Sequence, residues 1–326
     1  MTGMSGLEVG TFDDRYQEQA AAMVAASFAR LRSTVPVLPG TLELPDAVAG
    51  LLDQLLSDRR GVMATRDGRL VGFLGWYVIE GFRDTDRTAA LCPAWGHATT
   101  GPDREAVYRA LYREASAEWS RTGCRTHAVA VLADDDVARR TWFWLGFGLT
   151  VVDAIRATTS LGEGQCPAVP DGVTLRRAVP EDAATILTLE NEHWRHYTQP
   201  PMFMPVTLPL DPAEIETVLS GAVSGYWLAT CDGEPAGFLR FEPVAQGATE
   251  LVASATTIAI TGAYVRPSRR GRGIATALLD ASLRDYAGRG YTRCSTDFES
   301  FNPEAASFWP RYFTPVCLSM TRVPEA

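Results

Sequence analysis

Four arginines and two glycines are concentrated in one short stretch of the sequence, "VRPSRRGRGIATALL", residues 265–279. The stretch joins an apolar run at 256–265 to a helix-like run at 274–287, so its glycines precede a predicted helix. The first amides of a helix have no internal partners, and the helix dipole favours an anion beside them. Glycine lets the backbone approach a bulky anion, and arginine binds phosphate oxygens in pairs. The stretch therefore predicts a phosphate-binding loop.

Two common phosphate motifs do not fit this loop. A dinucleotide fingerprint starting at Gly271 requires glycine where the chain has Thr276, and a Walker loop requires a Gly-Lys pair. The chain contains no lysine, which also excludes Schiff-base chemistry and attachment of pyridoxal phosphate.

The pattern that does fit is Arg-x-x-Gly-x-Ala, formed by Arg270, Gly273 and Ala275 after a strand that ends in Val-x-Pro. An Asn-plus-aromatic segment, "NPEAASFW", follows at 302–309, and a strand, Asp-Gly turn and strand are predicted at 228–239. With these motifs, residues 173–326 resemble a Gcn5-related N-acetyltransferase (GNAT) domain.

The resemblance implies a mixed, splayed β-sheet flanked by helices, with the pantetheine arm of acetyl-CoA or another acyl-CoA in the splay and its pyrophosphate on the loop. The amides of residues 271–276 would bind the phosphates, and the end of the preceding strand would bind the thioester through backbone groups. The implied cofactor-binding residues are Tyr264, Val265, Arg270, Gly271, Arg272, Gly273, Ile274, Ala275, Thr276, Asn302 and Trp309.

The first half of the chain repeats the landmarks of the second. "MATRDGRLVGFL" (63–74) matches "LATCDGEPAGFL" (228–239), and "ADDDVARRTWFWLGF" (133–147) aligns with "ESFNPEAASFWPRYF" (299–313). The matched segments lie a whole domain length apart in the sequence. The sequence therefore predicts an α/β protein of two tandem GNAT-like domains. The predicted boundaries are 1–157 and 173–326, with a Gly- and Pro-rich linker at 158–172.

The cofactor loop is missing from the first copy. An aspartate stands where the second copy has its arginine, and a tyrosine replaces a small residue. The first domain is therefore predicted to be degenerate, with a role in packing, in shaping the acceptor cleft or in docking a partner; the alternative is that it binds acyl-CoA by another route. At an offset of 167 residues the aligned pairs are Asp103 with Arg270, Arg104 with Gly271, Ala106 with Gly273, and Tyr108 with Ala275.

Amine acylation requires a base for the amine and favours an acid for the leaving thiolate. The family often has a tyrosine acid seven residues after the asparagine, but that position is Trp309 here. Tyr312 is the candidate substitute, and water is the alternative because a thiol leaves well unaided. The candidate bases are Glu242, Asp297 and Glu299.

The acceptor is expected beside "NEHWRHYTQPP" (191–201), where the family builds its acceptor wall. His193, His196 and Tyr197 are the candidate acceptor-binding residues, and the two histidines face the same way if the predicted helix continues through them. Two imidazoles suit a metal ion, but no third ligand is spaced to join them, so no metal is predicted. The run at 199–205 predicts an apolar lid.

Composition limits the classes of partner. The net charge of -9 argues against nucleic-acid binding, which needs a basic face. No apolar run approaches the ~18 residues of a membrane span. The scattered cysteines and the absence of an evident signal segment predict a cytoplasmic protein.

The sequence thus predicts an N-acyltransferase that transfers an acyl group from acyl-CoA to a small-molecule amine. The resemblance implies natural-product, antibiotic or thiol-metabolite acceptors. Two alternatives remain: the donor is an acyl carrier protein, a partner that presents the same phosphopantetheine thioester, or the protein is a non-catalytic acyl-CoA sensor.

Overall fold

The computed structural model describes residues 6–57, 60–161, 169–205, 211–243 and 250–325, so residues 162–168 of the predicted linker lie outside the described residues. The chain forms two compact units. The first unit comprises residues 1–153 together with 315–326, and the second comprises residues 154–314.

The helices and strands alternate along both halves of the chain. In chain order they are β1 (Leu7–Thr11), α1 (Gln17–Thr34), α2 (Pro45–Leu56), β2 (Gly61–Arg66), β3 (Arg69–Gly75), β4 (Tyr77–Ile79), β5 (Ala89–Cys92), β6 (His97–Thr99), α3 (Arg104–Arg121), β7 (Thr126–Leu132), α4 (Asp136–Trp144), β8 (Gly148–Ala157), β9 (Val173–Arg177), α5 (Ala183–Tyr197), α6 (Pro212–Ser220), β10 (Gly225–Cys231), β11 (Glu234–Glu242), β12 (Thr257–Val265), α7 (Ile274–Gly288), β13 (Arg293–Glu299), α8 (Pro303–Phe308) and β14 (Thr314–Arg322).

The first unit has an antiparallel sheet in the order β1-β2-β3-β6 and a second set of strands around β7. In that set β5 runs parallel to β7, and β14, the last strand of the chain, pairs antiparallel with β7 from Cys317 opposite Leu132 onward. Its core is rich in large aromatic rings, with Trp119 and Trp142 fully buried.

The second unit has four antiparallel strands in the order β9-β10-β11-β12, followed by β13, which is parallel to β12. The parallel pairing covers only Thr257–Ile260 and Arg293–Thr296. Beyond it, β12 continues to Val265 and, among the described strands, pairs only with β11. The end of the pairing opens a gap between the carboxyl ends of β12 and β13, which confirms the predicted splayed sheet.

The two Asp-Gly turns predicted from the repeat are confirmed. Asp67-Gly68 joins β2 to β3, and Asp232-Gly233 joins β10 to β11. All four turn residues have positive φ, as a tight hairpin turn of this kind requires. The two hairpins also share an irregularity: the register shifts after Ala64 in the first and after Ala229 in the second. Within the described ranges, none of the helices is both long and apolar enough to cross a membrane.

Candidate active site

The glycine-rich loop lies between β12 and α7, as predicted. Gly271 and Gly273 have φ of 75° and 79°, a conformation that glycine adopts without strain. The first intrahelical bond of α7 runs from the Ala277 amide to the Gly273 carbonyl at 2.9 Å. Within the described part of the chain, no hydrogen-bond acceptor is recorded for the amides of residues 271–276. The loop therefore presents a row of unpaired N–H groups at the positive end of a 15-residue helix.

Two of the loop arginines are used within the domain itself. Arg266 forms a two-pronged ion pair with Glu192 at 2.8 and 2.9 Å. Arg270 donates to the Val265 carbonyl at 2.9 Å and to Glu304 at 2.7 Å, so it ties the end of β12 to α8. These two side chains hold the shape of the site.

Arg269 lies 3.7 Å from Asp232 of the hairpin turn. Arg272 is exposed, and among the described residues it has no recorded ion pair or hydrogen bond. It is therefore the loop arginine best placed to meet a ligand.

A cavity of about 530 Å³ opens where β12 and β13 separate. The loop, the unpaired end of β12, the end of β13, α5 and α8 all line it. A β-bulge at Thr261 interrupts the pairing of β12 with β11, since Gly262 lies opposite Arg240 and Ile260 opposite Phe241. The buried Thr261 hydroxyl lines the cavity and has no partner among the described residues.

The pairing of β12 decides which backbone groups face the gap. The Arg266 amide donates to Ala236 on the β11 side at 2.9 Å. Because alternate residues of an antiparallel strand point to opposite edges, Tyr264 also turns its backbone groups toward β11, while Ala263 and Val265 turn theirs toward the gap. Arg270 occupies the Val265 carbonyl, so at the end of β12 the Val265 amide faces the gap as a donor, with the Ala263 amide behind it.

Most of the predicted cofactor residues lie around this cavity. Tyr264, Val265, Arg270, Gly271, Gly273, Ile274, Ala275, Thr276, Asn302 and Trp309 line it, whereas Arg272 lies outside the lining. Burial raises the pKa of the Tyr264 phenol, and the Glu192 carboxylate raises it further.

Asn302 begins α8 as its cap. Its side-chain oxygen accepts from the Ala305 amide at 3.3 Å, and its side chain interacts with the Tyr197 phenol. Trp309 and Tyr312 follow at the end of this segment. The Tyr312 hydroxyl lies 3.0 Å from the Thr276 hydroxyl, in the first turn of α7. Tyr312 is thus tied to the phosphate-binding end of the site, although it lies outside the cavity lining.

The three candidate bases occupy different surroundings. Asp297 and Glu299 point the same way from β13 and line the cavity. Glu242 lies outside the lining and is 3.1 Å from Arg240, with which it forms an ion pair.

The three candidate acceptor residues share one side of the cavity, because α5 extends to Tyr197 and turns His193 and His196 the same way. Burial, followed by the negative charges of Glu299 and Asp297, raises the pKa of Tyr197 to about 12. Burial and then Arg270 lower the pKa of His196, which lies 3.7 Å from Glu304. Tyr197 and His196 are therefore uncharged near neutral pH. Met202, from the predicted lid, is buried, and Phe203 is exposed.

The sequence did not point to Glu190, Tyr226 or Thr261. Glu190 is buried on α5 and contacts both His193 and the Tyr226 hydroxyl. Its spacing, three residues before His193 on a predicted helix, was the signal available.

Comparison with known proteins agrees with this geometry. Residues 187–313, which contain the loop and the whole cavity lining, match the model of the acetyltransferase (GNAT) family. The part of the chain that holds the candidate site is therefore similar to the GNAT family of acetyltransferases, and no curated protein matches the chain.

Solved structures extend the GNAT fold to both halves. A GCN5-related N-acetyltransferase from Sphaerobacter thermophilus is 16% identical with a TM-score of 0.53, and the match covers 98% of this chain and 96% of that one. A glucosamine N-acetyltransferase region of a fungal multi-domain GH3 β-N-acetylglucosaminidase is 13% identical with a TM-score of 0.53, covering 98% of this chain and 38% of that one. A tandem GNAT protein from the clavulanic acid biosynthesis pathway is 17% identical with a TM-score of 0.48, covering 97% and 98%.

Proposed function

We propose that the protein is an N-acyltransferase that uses acyl-CoA as donor and the amine of a small molecule as acceptor. The observation that carries the proposal is the position of the loop. Six backbone amides without recorded acceptors lie at the mouth of a cavity that continues into the gap between β12 and β13. An acyl-CoA donor matches this arrangement, because its pyrophosphate would bind the amides and its thioester arm would extend into the gap.

The amides of residues 271–276 and the exposed Arg272 would hold the pyrophosphate. The acyl-pantetheine arm would lie along the unpaired edge of β12, where Ala263 and Val265 offer backbone groups. The Val265 amide would then donate to the oxygen that becomes negative as the amine attacks, which is the interaction that lowers the barrier most in acyl transfer.

The acceptor would enter on the side of α5 and β13. Asp297 and Glu299 line this side together with the neutral Tyr197, which favours an acceptor that carries positive charge. Tyr312 would be the proton donor to the thiolate, although its hydroxyl lies beside Thr276 and outside the cavity lining, and water is the alternative donor. Glu242 is the weakest of the three candidate bases, because it lies outside the cavity and is paired with Arg240.

The first half of the chain would be a GNAT-like domain that has lost its cofactor loop, with the domain boundaries predicted at 157 and 173. Its buried Tyr108 and its arginine-filled loop support this view, since neither leaves backbone free for a phosphate. The domain would serve to shape or support the catalytic half.

The first test of the proposal is release of free thiol from several acyl-CoAs against a panel of small amines. Thiol release that depends on an amine supports acyl transfer. Acyl-CoA binding without thiol release from any pair would instead indicate a sensor.

The donor is tested by truncation. Both CoA and a carrier protein present phosphopantetheine, but only CoA has a pyrophosphate for the loop amides. We expect kcat/KM for the acyl-pantetheine thioester to be at least about tenfold below that for acyl-CoA, because the loop contacts are lost. Equal rates for the two small thioesters, with strong preference for a carrier-bound donor, would replace CoA by an acyl carrier protein.

A further inference from the structure

A buried carboxylate lies directly behind one of the cavity histidines. Glu190 and His193 are one turn apart on α5 and are 3% and 8% exposed. His193 Nδ1 is 3.4 Å from Glu190 Oε2, and the other carboxylate oxygen accepts from the Tyr226 hydroxyl at 2.8 Å. A carboxylate is costly to bury unless both oxygens have partners, and here both have them.

Aromatic rings fix the plane of the His193 imidazole. The ring centroids of Tyr197, Phe238 and Tyr264 lie 4.9, 5.8 and 5.8 Å from that of the histidine. His193 lines the cavity, and among the described residues its hydrogen bond runs through Nδ1, with none recorded for Nε2. When Nδ1–H donates to Glu190, the lone pair is on Nε2, the nitrogen left for a substrate.

We propose that His193 is the base that takes the proton from the acceptor amine, and that Glu190 is the positioning residue that orients its ring and stabilises the imidazolium. The proposal rests on the acyltransferase function proposed above and assigns to it a proton acceptor. A histidine held by a buried carboxylate through Nδ1 is an arrangement that other acyl-transfer sites use for the same purpose.

The step balances as follows. The acceptor ammonium gives one proton to His193 Nε2, and its nitrogen attacks the thioester carbonyl carbon. The C–S bond breaks as the C–N bond is completed, and the second proton lost by the nitrogen ends on the departing sulfur. The products are the amide, the free thiol and protonated His193, which returns its proton to solvent.

Imidazole suits this role better than the cavity carboxylates. A carboxylate ordinarily titrates near pH 4 and is a weak base toward an ammonium, whereas imidazole titrates near neutral pH. The charge on the pair also depends on its surroundings. On its own helix, α5, the pair faces His196 and Tyr197. From the sheet it faces Tyr226 on β10, Tyr264 on β12 and Arg240 on β11, which interacts electrostatically with Glu190. Asp297 and Glu299 on β13 act on it through Tyr197.

The kinetic test measures kcat/KM against pH for the best amine of the panel. We expect His193→Asn to lower the plateau by about 100-fold and to remove the acidic limb of the profile. Glu190→Gln should lower the plateau of kcat/KM by about tenfold. It should also move the acidic limb of the profile to lower pH, because the imidazolium loses its carboxylate partner. Glu190→Asp should keep most of the wild-type profile. Glu216→Gln makes the same charge change on the exposed face of α6 and should change nothing.

Two further measurements separate a chemical role from a structural one. CoA affinity by calorimetry should be unchanged in all of these variants. The chain has only four histidines, so NMR can follow the imidazole of His193, identified by its loss in His193→Asn. Its titration midpoint should fall in Glu190→Gln.

The outcomes distinguish the two proposals. Thiol release that keeps its acidic limb in His193→Asn overturns the assignment of the base and leaves the acyltransferase function intact. If the NMR titration midpoint of His193 is unchanged in Glu190→Gln, Glu190 does not stabilise the imidazolium. This test does not require an accepted amine. Absence of any amine-dependent turnover in the wild type counts against the proposed function and with it the role of His193.

Discussion

The two units differ at the start of one pair of equivalent helices, α7 in the second unit and α3 in the first. In the second unit α7 begins after Gly271 and Gly273, and the space beside it is open. In the first unit α3 begins at Arg104, which aligns with Gly271 at the 167-residue offset, so the helix starts about one turn earlier. Helical backbone thus occupies the positions at which the second unit has its glycine loop.

Side chains close the remaining space in the first unit. Tyr108 is 1% exposed and its hydroxyl lies 3.0 Å from His97 Nδ1. Arg104 donates to the Thr99 hydroxyl at 3.0 Å and forms an ion pair with Asp135. Asp135 and Asn302 still cap equivalent helices, since each accepts from the amide three residues on. A fold can therefore keep its framework while a few side chains decide whether it holds a ligand.

The largest expected effect comes from placing a negative charge in the open loop. We expect Gly273→Glu to weaken CoA binding by about 100-fold or more, because the carboxylate would face the pyrophosphate and φ of 79° disfavours any side chain. The matched control is Ala106→Glu in the first unit, which should leave the affinity unchanged. Calorimetry measures both, and an equal loss in the two variants would contradict the division of roles.

The next effect comes from copying the first unit's side chain into the second. Ala275→Tyr puts a tyrosine at the position of Tyr108, and we expect CoA affinity to fall by about 30-fold because the ring would fill the cavity. The wild-type chain should bind one CoA. A stoichiometry of two equivalent sites would show that the first unit is open to the donor after all.

A smaller effect is expected from Tyr312, which aligns with Gly146 of the first unit. Tyr312→Phe should lower kcat by about tenfold, below the usual range for loss of a general acid, because a thiolate is a good leaving group. Tyr291→Phe removes a hydroxyl outside the cavity and serves as the control. Equal rates for the two variants would identify water as the proton source.

The smallest effect concerns stability and the first unit's core. Burial, and then Arg322, lower the pKa of His127 to about 4, and Tyr112 is its hydrogen-bond partner at 2.9 Å. In the unfolded chain the histidine binds its proton near pH 6.5. The contribution of the neutral His127 to the free energy of unfolding is therefore fully present above that pH and is lost as the pH falls toward 4. The aligned residue in the second unit is Cys294, which stays neutral in this range.

Replacement of this histidine should therefore flatten the pH dependence. We expect the difference in Tm between pH 7 and pH 5 to be about 2–4 °C smaller in His127→Gln than in the wild type, as thermal melts would measure. An unchanged difference would show that another group sets the acid sensitivity.

The sequence by itself determined the features that depend on neighbouring residues. The Asp-Gly turns and the glycines of the loop were readable because positive φ restricts the choice of residue at a single position. The start of α7 followed from a local pattern of the same kind, whereas the extension of α5 to Tyr197 was a condition that the structure met. The loss of the loop in the first unit was visible because Asp103 and Tyr108 stand at positions that the repeat had already aligned.

Only the tertiary structure decided how side chains far apart in the sequence pair. Arg266 and Arg270 looked like phosphate ligands, but Glu192 and Glu304 hold them at 2.8 and 2.7 Å. Glu190 gained its importance from Tyr226, 36 residues away on another element. Such pairings depend on how helices and strands pack, and a long charged side chain reaches any of several partners. Local sequence fixes the backbone of a loop or turn, whereas packing decides which of its side chains remain available to a ligand.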